Sequence, residues 1–288
     1  MVGTRIGVIG GSGLYQMDGM TKVREVWLDT PFGAPSDCIV VGELQGAPVA
    51  FLPRHGRGHR LNPSEVPARA NIYALKTLGV ERLISLSAVG SLKEEVRPLD
   101  LVMPDQLIDR TFRRPSSFFE DGIVAHISIA DPFCPHLGGL VTTAARDVGV
   151  KLHTTGTYVV MEGPAFSTRA ESALYRSWGA SVIGMTALPE AKLAREAEMC
   201  YVIAASVTDY DVWRAGHDDV SVDLVLGNLR RNVEMSKQLL QRLIPRLPSE
   251  RHCGCGSALK DAIATARTYI SPEAKQRLAP LVGKYVGS

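Results

Sequence analysis

An α/β fold with a mixed central sheet is the class this sequence predicts, and three observations predict it. Short apolar, partly β-branched runs alternate with longer segments whose apolar residues recur at helical spacing. Two early runs, 38–44 and 48–52, form a strand pair joined across Gln45-Gly46-Ala47, so the sheet is not purely parallel. Several strands end in small, polar or charged clusters, and open α/β sheets bind ligands beyond the carboxyl ends of their strands.

In chain order, Arg5–Ile9 is a strand that runs into Gly10-Gly11-Ser12-Gly13-Leu14, whose backbone N–H groups and Ser12 hydroxyl suit an anion. The dinucleotide fingerprint would want a further glycine where Gln16 stands, and a nucleophile elbow would want one at Leu14. The turn-rich stretch 29–36 leads into the strand pair. Then comes Pro53-Arg54-His55-Gly56-Arg57-Gly58-His59-Arg60, either an oxyanion site built on arginine forks or a solvated basic loop. His55 and His59 are four apart, but the glycines argue against a helical metal pair.

A helix is expected over 67–78, closed by Gly79, followed by a strand at 82–86 that ends in Ser87-Ala88-Val89-Gly90-Ser91. Another strand spans 99–103. Residues 109–135 lack a clear period, and so long an irregular segment points to an interface or an active-site wall. Helices follow at 134–148, 168–178, 189–199 and 220–244, with strands at 155–161 and 181–185 between them. The apolar run Tyr201–Val207 is a buried strand that stops abruptly at Asp209 and Asp211. Residues two apart on an extended chain share a face, so both carboxylates can meet one ligand rich in hydrogen-bond donors; loop acids or helix caps are the alternative. Residues 1–245 make the body, and 246–288 a helical tail or flap.

With 288 residues, 45% hydrophobic and 22% charged, the composition is that of an ordinary globular protein, and a net charge of +2 argues for neither nucleic acid nor membrane as partner. No apolar run approaches the roughly 20 residues of a membrane span, and the first residues lead into a strand without a signal core, so the cytoplasm is the expected compartment. Of five cysteines, Cys38, Cys134 and Cys200 read as small buried hydrophobes. Cys253 and Cys255 are close-set, but zinc would need two more ligands and His252 is the only obvious one nearby, so free thiols and no metal are expected.

Taken together, Gly10–Leu14, Asp29-Thr30-Pro31-Phe32-Gly33, Arg54-His55-Gly56-Arg57, Glu162-Gly163-Pro164-Ala165-Phe166-Ser167 and Thr208–Trp213 resemble the purine nucleoside phosphorylase superfamily, in its trimer-type branch. The resemblance covers about residues 4–245 and implies a three-layer sandwich. It implies phosphorolysis, in which inorganic phosphate is a co-substrate and no cofactor takes part, by a homotrimer or hexamer. By match, phosphate would meet Ser12, Arg54, His55, Ser87, Ala88 and Thr186; the nucleoside would meet Phe166, Ser167, Met185, Val222, Val225, Leu226, Asp209 and Asp211; and His126 would come from a neighbouring subunit. Relatives acting on 6-oxopurines carry Asn where Asp209 stands, Glu where Ser167 stands and His where Val222 aligns. The narrower expectation is therefore a 6-aminopurine with an apolar 5′ group: S-methyl-5′-thioadenosine, cleaved to adenine and 5-methylthioribose 1-phosphate. The alternatives are a 6-oxopurine or methylthioinosine phosphorylase on the same fold, a dinucleotide-binding oxidoreductase, or a nucleoside-binding protein without catalysis.

Overall fold

The parallel strands β1 (Ile6–Gly10), β4 (Ala47–Pro53), β5 (Arg82–Ser91) and β11 (Cys200–Asp209) lie side by side at the centre of the sheet in the order β4-β1-β5-β11. The structure, a computed structural model, describes residues 5–11, 17–214 and 222–287, side chains at 222–226 excepted. β2 (Met20–Val26) and β3 (Ile39–Leu44) add antiparallel to the β4 edge, which makes the sheet mixed as expected. Beyond β5 lie β10 (Val182–Gly184), β9 (Thr157–Met161) and β7 (Gln106–Arg110), while the two-residue strands β6 (Leu101–Val102) and β8 (Leu152–His153) extend the sheet past β11. Neither β2 nor β7 is anticipated by the apolar pattern. β2 is an edge strand with mostly exposed residues, so no buried face imprints an alternation on it.

Period-2 alternation in the central strands feeds two helical layers. Ile9, Leu83 and Tyr201 join one core cluster with Ile72 and Leu75 of α1 (Ala68–Thr77) and Leu193 of α4 (Glu190–Glu196). Their neighbours Val8, Ile84 and Val202 face the other way, onto Leu137 and Val141 of α2 (Pro135–Val148) and Leu240 of α5 (Val222–Leu243). The third core cluster packs α3 (Arg169–Ser177), through Tyr175, against Val159 and Ile183. In the last stretch, α6 (Pro272–Arg277) and α7 (Ala279–Val286) send Ala274, Leu281 and Val282 into the same cluster as α1. Among the described residues, no helix is long and apolar enough to cross a membrane.

The centre of the sheet is where a cavity opens. β5 pairs with β11 over most of its length, yet on its other edge it pairs with β1 only up to Ser85 and with β10 only from Gly90. Residues 86–89 therefore have no ladder partner on that edge among the described residues, and their backbone groups are available to other partners.

Candidate active site

The gap beside residues 86–89 belongs to a cavity of about 770 Å³ at the carboxyl ends of β5 and β11. Arg54 enters it from the end of β4, and a full set of acceptors holds its guanidinium. Nε and Nη2 donate to the two oxygens of Glu190 (3.0 and 3.3 Å), Nη1 donates to the Leu86 carbonyl (3.1 Å), and Nη2 also donates to Ser85 Oγ (2.7 Å). Burial opposes the charge on Arg54, and the Glu190 carboxylate more than compensates. The planar fork is thus locked in one orientation by the protein itself.

His55 stacks on His59 with ring centroids 4.3 Å apart, and its Nδ1 lies 2.9 Å from the Leu61 carbonyl. A carbonyl can only accept, so Nδ1 carries the proton and Nε2 holds a lone pair in the neutral ring. Burial, then the Arg54 charge, pushes the imidazole down to about 4, so it is neutral in the unliganded chain near pH 7. Ser87 Oγ sits 2.8 Å from Thr186 Oγ1 and 3.1 Å from the hydroxyl of buried Tyr158. Gly184 makes room for that tyrosine, since a Cβ there would fall 2.2 Å from Tyr158 Oη. Arg54, His55, Ser87, Ala88 and Thr186 thus converge on one end of one cavity. Ser12 lies outside the described residues, although neighbouring Gly11 lines the same space.

Asp209 and Asp211 stand at the other end, delivered differently from the expectation of two residues on one extended strand. The register of β11 against β5 slips between Val207 and Asp209, a bulge that ends the strand. Asp211 then turns back in the left-handed region (φ 52°), its N–H donating to Asp209 Oδ1 at 2.8 Å. Carbonyls at the bulge accept from two asparagines one turn apart on α5, Asn228 to Thr208 (2.7 Å) and Asn232 to Val207 (3.1 Å). Thr208 Oγ1 donates to Asp209 Oδ2 at 2.6 Å. Burial raises both carboxyls above the usual range, more than the Thr208 and Asp211 donors lower Asp209. Among the described residues Asp211 Oδ2 is buried and makes no hydrogen bond, although the hydroxyls of Ser172 and Ser167 lie near enough to favour its charge; it can still accept from a ligand donor.

The chain that carries this locked cation and buried acid pair also matches a family by sequence. The model for the phosphorylase superfamily matches residues 5–245. This chain belongs to that superfamily. A relative from Geobacter sulfurreducens, named S-methyl-5′-thioadenosine phosphorylase, is 56% identical over 282 residues, covering 98% of this chain and 99% of that one. The crystal structure of a methylthioadenosine phosphorylase sourced from an antarctic soil metagenomic library superposes with a TM-score of 0.93 at 51% identity, covering 97% of this chain and 99% of that one. A mutant adenosine/methylthioadenosine phosphorylase from Schistosoma mansoni, solved in complex with methylthioadenosine, superposes with a TM-score of 0.83 at 34% identity, over 89% of this chain and 96% of that one.

As a member of this superfamily, the chain brings the remaining expected positions to unequal places. Phe166 and Met185 line the cavity, Phe166 at its mouth with 45% of its surface exposed. Ser167 is buried and donates towards Met161 Sδ at 3.7 Å. Val222, Val225 and Leu226 fall on α5, but their side chains lie outside the described residues; the following turns of α5 contribute Leu229 and Val233 to the wall. His126 is exposed, its N–H bonded to the Ala262 carbonyl, and does not line the cavity of its own chain.

Three residues escaped the sequence reading. Glu190 locks Arg54, and Tyr158 backs Ser87. Arg114, from the irregular 109–135 segment, donates to the carbonyls of Met185 (2.5 Å), Leu188 (2.7 Å), Met161 (3.3 Å) and Glu162, tying the two loops of the wall together. The only signal for Arg114 was the lack of period around it. Cys134 and Cys200 were read as isolated apolar fillers, yet their sulfurs gather with those of Cys253 and Cys255 elsewhere in the molecule.

Proposed function

We infer that this chain catalyses phosphorolysis of S-methyl-5′-thioadenosine to adenine and 5-methylthioribose 1-phosphate. A single observation carries the reading: one cavity holds a pre-oriented guanidinium at one end and two buried carboxyls at the other, one with an oxygen that makes no hydrogen bond among the described residues. Adenine offers an exocyclic amine that an unpaired carboxylate oxygen accepts, and its N7 needs a proton as the glycosidic bond breaks.

Phosphate binds among Arg54, His55, Ser87, the Ala88 N–H and Thr186, with Ser12 joining from the glycine loop. The lone pair on His55 Nε2 takes the remaining proton of hydrogen phosphate as a hydrogen bond. A phosphate oxygen attacks C1′ as the C1′–N9 bond breaks, and the bonding pair moves into the purine. Asp209, with its carboxyl raised by burial, supplies the proton to N7. Asp211 holds the exocyclic amine, Ser167 stands near the ring edge, Phe166 and Met185 flank base and ribose, and the α5 wall, with Leu229 and Val233, suits the methylthio group for which the sequence offers Val222, Val225 and Leu226. The chemistry needs no cofactor.

On the same reading the chain acts in the cytoplasm as a homotrimer or a dimer of trimers, with exposed His126 reaching a neighbour's cavity. Light scattering gives the mass, and His126→Ala raises KM for the nucleoside if it crosses. The decisive assay is phosphate-dependent adenine release; binding of methylthioadenosine without release would leave a non-catalytic binder.

A further inference from the structure

Cys134, Cys200, Cys253 and Cys255 come from three distant parts of the chain, yet all four Sγ atoms lie within 4.8 Å of one another. None lines the nucleoside cavity. Local structure explains how they meet. Cys134 caps the N-terminus of α2 with Pro135 behind it; its sulfur accepts the Leu137 N–H at 3.4 Å, and its own N–H donates to the Tyr201 carbonyl at 2.9 Å. That last bond sets it beside Cys200, the first residue of β11.

The other two arrive on the C-terminal segment. Arg82 donates to the Glu250 carbonyl at 2.6 Å and Arg251 donates to the Glu198 carbonyl at 2.7 Å, which anchors the approach. Cys253 is extended, and the single 3₁₀ turn Gly254–Ser257 folds Cys255 back towards the same point. At Gly256 a Cβ would fall 2.7 Å from Arg251 Nη2, so glycine lets that arginine lie across the turn. The Cys200 and Cys253 sulfurs end 3.3 Å apart, and all four thiols are free.

Thiols packed only as hydrophobes have no reason to converge on one point. A disulfide would use them in pairs, and a bridge within Cys-Gly-Cys is strained. A tetrahedral thiolate site uses all four: with Zn–S of about 2.3 Å its S···S edges are about 3.8 Å, a value between the 3.3 Å of the Cys200–Cys253 pair and the 4.8 Å that bounds the cluster. Cys134 sits at the N-terminus of α2, where the backbone N–H groups suit a negatively charged sulfur. A separate cavity of about 660 Å³, lined by Cys134, Cys253, Cys255, His136 and Arg195, gives a route in, and the arginine offsets part of the charge of a four-thiolate centre.

We propose that Cys134, Cys200, Cys253 and Cys255 form a structural zinc site that clamps the C-terminal segment onto the start of α2 and β11. Each thiol releases its proton to solvent as its sulfur takes the ion, so no oxidant is involved. The clamp holds the stretch whose Ala262 and Thr265 bond the backbone of Val124 and His126, which stiffens the irregular segment at one flank of the molecule.

The test is elemental analysis of tag-free chain purified without chelators, alongside intact mass under non-reducing conditions. About one zinc per chain is expected, released when a mercurial titrates the thiols of the native protein and lost in Cys253→Ser/Cys255→Ser. Should the double variant fail to fold, the release measurement on the native chain stands alone. Zinc-stripped chain should melt several degrees lower and recover on adding zinc. Absence of zinc, a different bound metal, a mass lowered by the hydrogens lost in disulfides, or zinc retained by the double variant would each overturn the proposal. Phosphorolysis measured on the same samples keeps it separate from the catalytic reading, because zinc content and adenine release can fail independently.

Discussion

The two ends of the nucleoside cavity are built on opposite principles. At the cationic end the strong groups are held by the protein: Glu190, Ser85 and the Leu86 carbonyl orient Arg54, and Leu61 fixes His55. At the acidic end Asp211 Oδ2 is buried and makes no hydrogen bond among the described residues. One end is oriented before any ligand arrives; the other is completed by the ligand. That difference suits a reaction in which a small symmetrical anion must be aimed at one carbon while the base must be recognised by its own donors.

The largest effect that would test this contrast lies at the acidic end. Asp209→Ala should lower kcat by about 10²–10⁴-fold, the scale of a lost general acid, while Asp209→Asn should shift preference towards 6-oxopurines. Steady-state kinetics on both nucleoside types read this, and unchanged selectivity in the Asn variant would mean Asp209 does not read the base. Next comes Glu190→Ala at the cationic end, which strands a buried guanidinium. It should cost about 3–5 kcal/mol in urea unfolding and raise KM for phosphate; an unchanged midpoint would show that the cationic end is not held by its own partners.

How much of this was legible beforehand depended on whether a group's partners are close in sequence. The acid pair, the Arg54-His55 loop and the Glu162–Ser167 loop are contiguous, so their chemistry is visible as written. Glu190 lies 136 residues from Arg54, and Arg114 bonds carbonyls 47 to 74 residues away, so no local pattern announces either. The same holds for Cys134 and Cys200, whose partners sit on the C-terminal segment. The apolar runs of β1, β5 and β11 were legible because both faces are buried under helices, whereas the exposed edge strand β2 carries no such imprint. The acid pair was found for a partly wrong reason: a bulge and a left-handed turn, not strand periodicity, bring Asp211 beside Asp209.

A third residue sharpens the contrast, a buried carboxyl with no cation in hydrogen-bond contact among the described residues. Glu196, one turn and a half along α4 from Glu190, accepts only from Ser117 Oγ and the Phe118 N–H (both 2.7 Å), and burial pushes it up to about 7. The folded chain holds this proton where the unfolded chain, near 4.5, has lost it. Stability therefore falls as pH rises from the unfolded to the folded value, by about 2–3 kcal/mol. Glu196→Gln should abolish that fall in urea titrations at successive pH values; an unaltered pH profile would mean the carboxyl stays ionised. The smallest effect is expected for Asp211→Asn, about ten- to thirtyfold in kcat/KM for the aminopurine with the melting temperature unchanged, the cost of one acceptor. A variant as active as the parent would leave the unpartnered oxygen without a ligand.

The most direct measurement follows base release from methylthioadenosine and from inosine, each with and without phosphate. Adenine release that requires phosphate and outpaces inosine cleavage is the expected result. Faster cleavage of inosine, or release that ignores phosphate, would contradict the assignment of an acidic, adenine-reading end opposite a phosphate-holding one.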